Sequence, residues 1–401
     1  MKGAKKKKGR SLFYRISAWL HLWLGLITGI VIVIVSLTAA TLVFEQELRL
    51  IFQPYQKASA DGRQYLPPSV LQNTVMQECK LPKVSAIVYQ GMDRAAVLPY
   101  YDGGPDKYRL VYINPYSGKI LHQVLLKNDF FRIMLEGHYY LWLPPKVGKP
   151  VVAYSTLIFV ITLITGLVLW WPQKWNKSTK KQSFRIKWNA TPKRLNYDLH
   201  NVLGFYSLLV ALIFGLTGMV YGMQWFSDFA YWVSSGGESR SSMRGNFKGR
   251  GRGRPASDIA KAVKDTTVHF NGQDSIPEID RLFYTVLKEK KNIDNEVFTI
   301  GFPFGEKGNW SITETSKLGI RGGTVSTAYE QRTLKKVPPK PLNAGDKYMQ
   351  LNYDLHVGSV GGITTKIIAF IVCIICASLP VTGFLVWWNK KYSKKKKPVR
   401  N

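Results

Sequence analysis

The chain is short of cysteine. Its three thiols, Cys79, Cys373 and Cys376 in 401 residues, give no disulfide framework. It lacks a P-loop, and no G-x-G-x-x-G stands on a strand-to-helix turn, which excludes binding of ATP or NAD(P)H through a soluble domain of its own. Acidic residues are scarce too, 25 Asp+Glu against 56 Lys+Arg. Twenty-four of the 25 lie between residues 45 and 136 or between 228 and 354, and only Asp198 lies elsewhere.

Four stretches lack charge of either sign. Arg15 and Glu45 bracket 29 such residues, Lys149 and Lys174 bracket 24, Asp198 and Asp228 bracket 29, and Lys366 and Lys390 bracket 23. A helix needs about 20 apolar residues to cross a bilayer, so four transmembrane helices are expected. The first run is longer than the apolar region of a signal peptide and reads as a retained helix. Basic residues crowd MKGAKKKKGR, the loop QKWNKSTKKQSFRIKWNATPKR and the tail KKKKPVR. Four crossings put these three on one side, and the positive-inside rule makes that side the cytoplasm. The basic excess then reads as topology and contact with an anionic lipid bilayer, with no nucleic acid as partner.

Two acid-bearing segments remain for the other side. In the first, SVLQNTVMQECK reads as a short helix, and VSAIVYQ, AAVLPYYD and YRLVYINPYSGKILHQV alternate as strands. In the second, ASDIAKAVKDTTVHF reads as a helix, and IDRLFYTVL, NEVFTIGFP and GNWSITETS as strands. The expected order is a basic N-terminus at 1–15, helix 1 at 16–44, a module at 45–137, and a His-bearing segment with helix 2 at 138–173. A basic loop at 174–198, helix 3 at 199–227 and a second module at 228–355 follow, the latter with an Arg/Gly-rich linker at 234–256. A His-bearing segment with helix 4 at 356–389 and a basic tail at 390–401 complete the chain. The fold class is thus an α-helical membrane protein, four transmembrane helices in two helix–module–helix repeats with two extracytoplasmic α+β modules.

The repeat is visible in detail. LNYDLH occurs at 195–200 and again at 351–356, each copy before an apolar run. Asp198 and Asp354 suit helix N-caps there. His21 is followed by Gly25 at +4 and Thr38 at +17, and His200 by Gly204 at +4 and Thr217 at +17. TGLVLWW (165–171) and TGFLVWW (382–388) close helices 2 and 4. His138 precedes the first of those threonines by 27 residues and His356 the second by 26. Four of six histidines therefore mark two depths, His21 with His200 near the cytoplasm and His138 with His356 on the outer side. A polar interfacial anchor would account for one of them, but ionisable groups at membrane depth in a two-fold pattern point to function. Two histidines at one depth suit axial ligation of haem b, and no carboxylate or thiol cluster accompanies them as zinc or copper would require. Gly25 and Gly204 share the histidine face and leave room for a flat macrocycle. Cys373 and Cys376, a C-x-x-C in helix 4, read as packing residues, and His122 and His269 as ordinary module residues.

With WLHLWLG, EGHYYLWL, DLHNVLG, DLHVGS and both T-G-x-x-x-W-W ends, the chain resembles the PepSY-associated transmembrane proteins, often described as iron-regulated membrane proteins. YRLVYINPYSGKIL resembles the last strands of a PepSY module. The chain departs from the family at Pro144–Pro145 and in its Arg-Gly insertion. The resemblance implies a multi-pass protein of the bacterial inner membrane, both termini cytoplasmic and both modules periplasmic. It also implies two haem b groups held by His21, His200, His138 and His356, and a haem-dependent ferric (siderophore) reductase. Its partners would be a ferric siderophore or other ferric chelate, docking beside the outer pair near Tyr139, Tyr140 and Trp142, and a quinol or separate cytoplasmic reductase as donor. The alternatives are a membrane-anchored sensor or protease-regulating protein and an iron-chelate permease.

Overall fold

The computed structural model describes residues 10–102, 107–172, 174–239, 276–289, 296–303, 305, 308–316, 324–339 and 341–392. Most of the Arg/Gly-rich linker, the helix read at 256–270 with His269, and the outermost parts of both basic termini lie outside the described residues. The chain divides into two compact units. One comprises residues 1–43, 134–230 and 355–401, and the other residues 44–133 and 231–354.

The first unit is built from four long helices, α1 (Leu12–Val43), α5 (Pro145–Trp170), α7 (Pro192–Gly222) and α11 (Gly362–Tyr392). Each spans 26 residues or more and is apolar and long enough to cross a bilayer. Their surfaces are inverted relative to a soluble bundle. On α1, Trp19, Trp23, Ile27, Ile30 and Leu37 face outward, while Ser17, Thr28, Gly29, Ser36 and Thr38 are buried. Small and hydroxyl side chains allow helices to approach closely where no hydrophobic effect drives them together. α1 packs on α5 and α11, and α7 packs on α5 and α11, closing a ring of four. The chain is a multi-pass membrane protein.

Local boundaries differ from the expectation in three places. α7 begins at Pro192, in the first-turn position where proline's missing N–H costs nothing. Asp198 therefore lies inside the helix as a buried ion-pair partner, its Oδ1 2.8 Å from Arg194 Nε one turn earlier, and is not a cap. Asp354 likewise lies within α10 (Ala344–Val357). His138 belongs to a separate helix, α4 (Phe130–Tyr140). Leu141 and Trp142, both left-handed with φ of 57° and 56°, end it, and Pro145 opens α5. Gly148 in the first turn of α5 sits against the Tyr140 carbonyl, where a Cβ has no space.

The second unit holds one antiparallel sheet. Its first four strands are β1 (Ala86–Tyr89), β2 (Ala96–Tyr101), β3 (Tyr108–Ile113) and β4 (Ile120–Leu125). The others are β5 (Glu296–Gly301), β6 (Asn309–Ser316), β7 (Val325–Glu330) and β8 (Lys336–Val337). Their order is β4-β3-β2-β1-β5-β6-β7-β8. The two expected modules meet through β1 and β5 in one sheet. β1 pairs with β5 in the register Ala86↔Gly301 to Tyr89↔Phe298, so each half lacks a free edge there. The core is also shared. α3 (Pro68–Glu78) contributes Leu71 and Val75, α9 (Glu278–Glu289) contributes Ile279, Leu282, Phe283 and Val286, and both halves of the sheet add Ile87, Leu98, Phe298, Ile300 and Trp310. Asp280 of α9 accepts from the Ser69 N–H at 2.9 Å, which places a carboxylate at the N-terminus of α3.

α9 corrects a second expectation, since IDRLFYTVL was read as a strand. Its aromatic and β-branched content suits a sheet, but Ile279, Leu282, Phe283 and Val286 are spaced i, i+3, i+4, i+7 and all are buried. Period outweighs composition there. The strand readings over β1 to β6 coincide with observed strands, whereas β7 and β8 have no counterpart in the sequence reading. Asn114 closes the β3–β4 turn by accepting from the N–H of Tyr116 and of Ser117, and Gly118 takes φ +73°.

α2 (Glu45–Phe52) follows α1 directly and carries Arg49. The guanidinium donates to both oxygens of Asp129, at 2.8 Å to Oδ2, and also reaches Glu45. Asp129 in turn accepts from the Arg132 N–H at 3.0 Å, so it caps α4. Burial alone would raise the Asp129 carboxyl, but the Arg49 hydrogen bonds outweigh it and hold the carboxyl below its usual range. A carboxyl depressed in the folded state adds stability above its unfolded value of about 3.9, and that stability is lost as pH falls through the lower folded value. The thermal stability of the detergent-solubilised chain, followed by circular dichroism, should therefore fall below about pH 4. Asp129→Asn should lower stability at pH 7 by about 3 kcal/mol and flatten that acid dependence.

Candidate functional site

Four half-buried imidazoles stand in two pairs inside the helix unit. His21 on α1 and His200 on α7 have ring centres 6.1 Å apart. His138 on α4 and His356 on α10 also have ring centres 6.1 Å apart. The ring planes meet at 78° in the first pair and 56° in the second.

Every one of the four is held at Nδ1 by a neighbouring helix in the same way. His21 Nδ1 lies 3.0 Å from the Thr162 carbonyl and 3.4 Å from Thr165 Oγ1. His200 Nδ1 lies 3.1 Å from the Leu379 carbonyl and 3.0 Å from Thr382 Oγ1. His138 Nδ1 lies 3.0 Å from the Val35 carbonyl and 3.5 Å from Thr38 Oγ1. His356 Nδ1 lies 3.0 Å from Thr217 Oγ1, with the Phe214 backbone as its second partner. In all four the carbonyl belongs to the residue three positions before the threonine. The threonine hydroxyl also lies within hydrogen-bond distance of the carbonyl of its own preceding turn, at 2.9 Å to Ile161, 3.0 Å to Ser378, 2.8 Å to Ile34 and 2.7 Å to Ile213.

These contacts assign the proton. A carbonyl can only accept, and a hydroxyl whose single hydrogen is donated backward can only accept at its lone pairs. Nδ1 must carry the hydrogen in each ring, which leaves the Nε2 lone pair free to bind a metal. Thr165 and Thr382 are each followed by glycine, and the ring occupies the space that its missing side chain leaves. A methyl at Gly166 would stand 3.0 Å from His21 Cε1, one at Gly383 3.0 Å from His200 Cε1, and one at Gly218 3.3 Å from His356 Cε1. The fourth threonine, Thr38, is followed by Ala39. His200 lies in a π-helical stretch, Leu199–Leu203, a wide turn that such sites often use.

Gly25 and Gly204 are the glycines expected to leave space beside the histidines. A methyl would meet Thr162 Cγ2 at 3.7 Å from Gly25 and Leu379 Cδ2 at 3.7 Å from Gly204, both ordinary contacts. The sequence reading missed the threonines and glycines that seat the rings. Thr38 and Thr217 were visible as a +17 spacing, and Thr165 and Thr382 as the head of T-G-x-x-x-W-W, but spacing alone gives them no partner. Among the described residues no three His, Cys, Asp or Glu side chains converge on one point. Cys373 and Cys376 are buried, and Cys376 packs with Leu163, Ala211 and Val372. His122 stacks on Tyr55 at 4.1 Å, within the sheet unit. Tyr221 and Tyr139 flank the second pair, 5.5 Å from His356 and 6.0 Å from His138.

Gly383→Ala should therefore force His200 or its helix to shift and lower the stability of the solubilised chain by about 1–3 kcal/mol. Gly204→Ala, with ordinary contact and a better helix former in place, should leave stability unchanged or slightly raised. Thermal melts of the two variants side by side measure the difference.

Among curated proteins, none matches the chain. Residues 18–390 match the model of the PepSY-associated TM region. With the four spanning helices and the sheet domain in place, the protein belongs to the PepSY-associated TM region family.

Proposed function

We propose that this protein is a di-haem ferric-chelate reductase of the bacterial inner membrane. Electrons from a quinol or a separate cytoplasmic reductase would cross the bilayer and reduce a ferric siderophore, or a similar chelate, in the periplasm. One electron converts Fe(III) to Fe(II), which binds hard oxygen donors less tightly and is released. The observation that carries this reading is the pair of histidine pairs. A metal-bound nitrogen lies about 2 Å from its metal and the imidazole centre about 1 Å beyond, so two axial imidazoles on one iron have centres about 6 Å apart. Both pairs stand at 6.1 Å. Two ligands per pair, without a third among the described residues, suit a metal whose other positions are filled by a macrocycle.

In this reading His21 and His200 hold one haem b and His138 and His356 the other. Haem b supplies reversible one-electron exchange. The protein's own part is to present four neutral imidazoles with Nε2 free, and to wall both sites with apolar helices. The inner-membrane location rests on the family resemblance, and the sidedness, with termini and the 174–198 loop cytoplasmic and the sheet domain periplasmic, rests on the basic-residue distribution.

A reduced-minus-oxidised optical spectrum of the purified protein tests the reading. A haem b signature is expected, and its absence would favour the sensor or permease alternatives. His200→Ala and His356→Ala should each remove a different haem, roughly half the absorbance apiece. After stoichiometric anaerobic reduction, a ferric siderophore should reoxidise the wild type, and the His356→Ala variant should lose that reaction while its remaining haem still reduces. Reoxidation at an unchanged rate in that variant would place the exit elsewhere.

Sidedness has its own measurement. In a Cys79→Ser background, cysteines placed at the exposed Ser178 and Ser117 should differ in intact spheroplasts. An impermeant maleimide should label position 117 and not position 178. Labelling of both would overturn the orientation.

A further inference from the structure

The four threonine seats are more elaborate than ligand burial requires. A single carbonyl would satisfy each Nδ1–H and fix the tautomer. Here a second acceptor, a threonine hydroxyl, stands beside it three residues further along the same helix. One acceptor leaves a ring free to turn about its hydrogen bond. Two acceptors side by side restrict that turn, and the hydroxyls are themselves tied to the preceding helical turn. Glycine after the threonine lets the ring lie against the helix backbone, closing a third side in three of the four seats.

The geometry points to Thr165, Thr382, Thr38 and Thr217 as positioning residues that fix the planes of the iron-binding imidazoles. Through them the two pairs take different plane angles, 78° for His21–His200 and 56° for His138–His356. The inference rests on the haem reading above and concerns how the ligands are held. Its consequence is electronic. When two axial imidazole planes are nearly perpendicular, each donates into a different iron d orbital, and the two orbitals approach equal energy. A low-spin ferric haem then gives a highly anisotropic EPR signal, whereas planes closer to parallel give an ordinary rhombic one. The extra acceptor at Nδ1 also strengthens electron donation from Nε2 and so favours the ferric state.

The experiment uses the full-length haem-loaded protein, with EPR of the oxidised form and an optical redox titration. The wild type should show two low-spin ferric signals, and His200→Ala should remove the more anisotropic one. Thr382→Val keeps the side-chain shape and removes the acceptor. It should retain both haems by pyridine haemochrome assay, move the His21–His200 signal toward the rhombic form, and shift that haem's midpoint potential upward. The other haem should not change, and Thr382→Ser should restore both properties. Thr165→Val, on the opposite ligand of the same iron, is the second variant should Thr382→Val fail to fold, and it should act in the same direction. Both haems present in the valine variants with unmoved signals and unmoved potentials would overturn the positioning role while leaving the haem reading intact. A wild type without haem would overturn the reading itself.

Discussion

A ring N–H in the interior of a helix bundle must be given an acceptor, and the carbonyls around it are already engaged in helical hydrogen bonds. This constraint organises the helix unit. Each imidazole solves it by borrowing a carbonyl at its second lone pair, together with the hydroxyl of the threonine one turn on. The helices cannot slide or rotate far without stranding a polar group where water does not compensate it. The arrangement is also reciprocal. α1 carries His21 and seats His138, while α7 carries His200 and seats His356. Each ring is seated by a helix from its own half of the chain and faces a ring from the other half.

One of these rings stands on a short helix whose first turn is capped by a carboxylate. Asp129 caps α4, and α4 carries His138 at its far end. The same carboxylate grips Arg49 on α2, which follows α1 directly. Phe131 lies under that guanidinium with 4.6 Å to its centre, so the pair is shielded on one side by an aromatic face. The corner after α4, with two left-handed residues and then Pro145, gives His138 a helix of its own and separates it from the spanning α5.

Much of this was legible in the residues. Runs without charge marked the four spans, because lipid tolerates few charged side chains, and the spacing of His21, His138, His200 and His356 marked two pairs. Period-2 patterns marked most of the strands. The rest was written in contacts. Nothing local distinguishes Thr165 or Gly383 from any small residue in a tight helix pair until His21 or His200 is seen against it. α9 was misread because Phe283 and Tyr284 weigh toward a sheet when only composition is considered. Asp198 looked like a cap since the helix before it, opened by Pro192, was hidden in a basic loop. The union of two modules into one sheet lay beyond reach, as a strand such as β1 carries no mark of the partner it will meet.

That union has a consequence for how the chain is made. β1 emerges from the ribosome more than two hundred residues before β5, its neighbour in the finished sheet. Until then one side of Ala86–Tyr89 offers unpaired backbone groups to any extended segment nearby. The core is also missing Leu282, Phe283 and Trp310, which lie in the later half. The first half of the domain must therefore wait, incomplete, while two more spanning helices are inserted. During biosynthesis this interval is when the protein is most exposed to mispairing and to quality-control proteases.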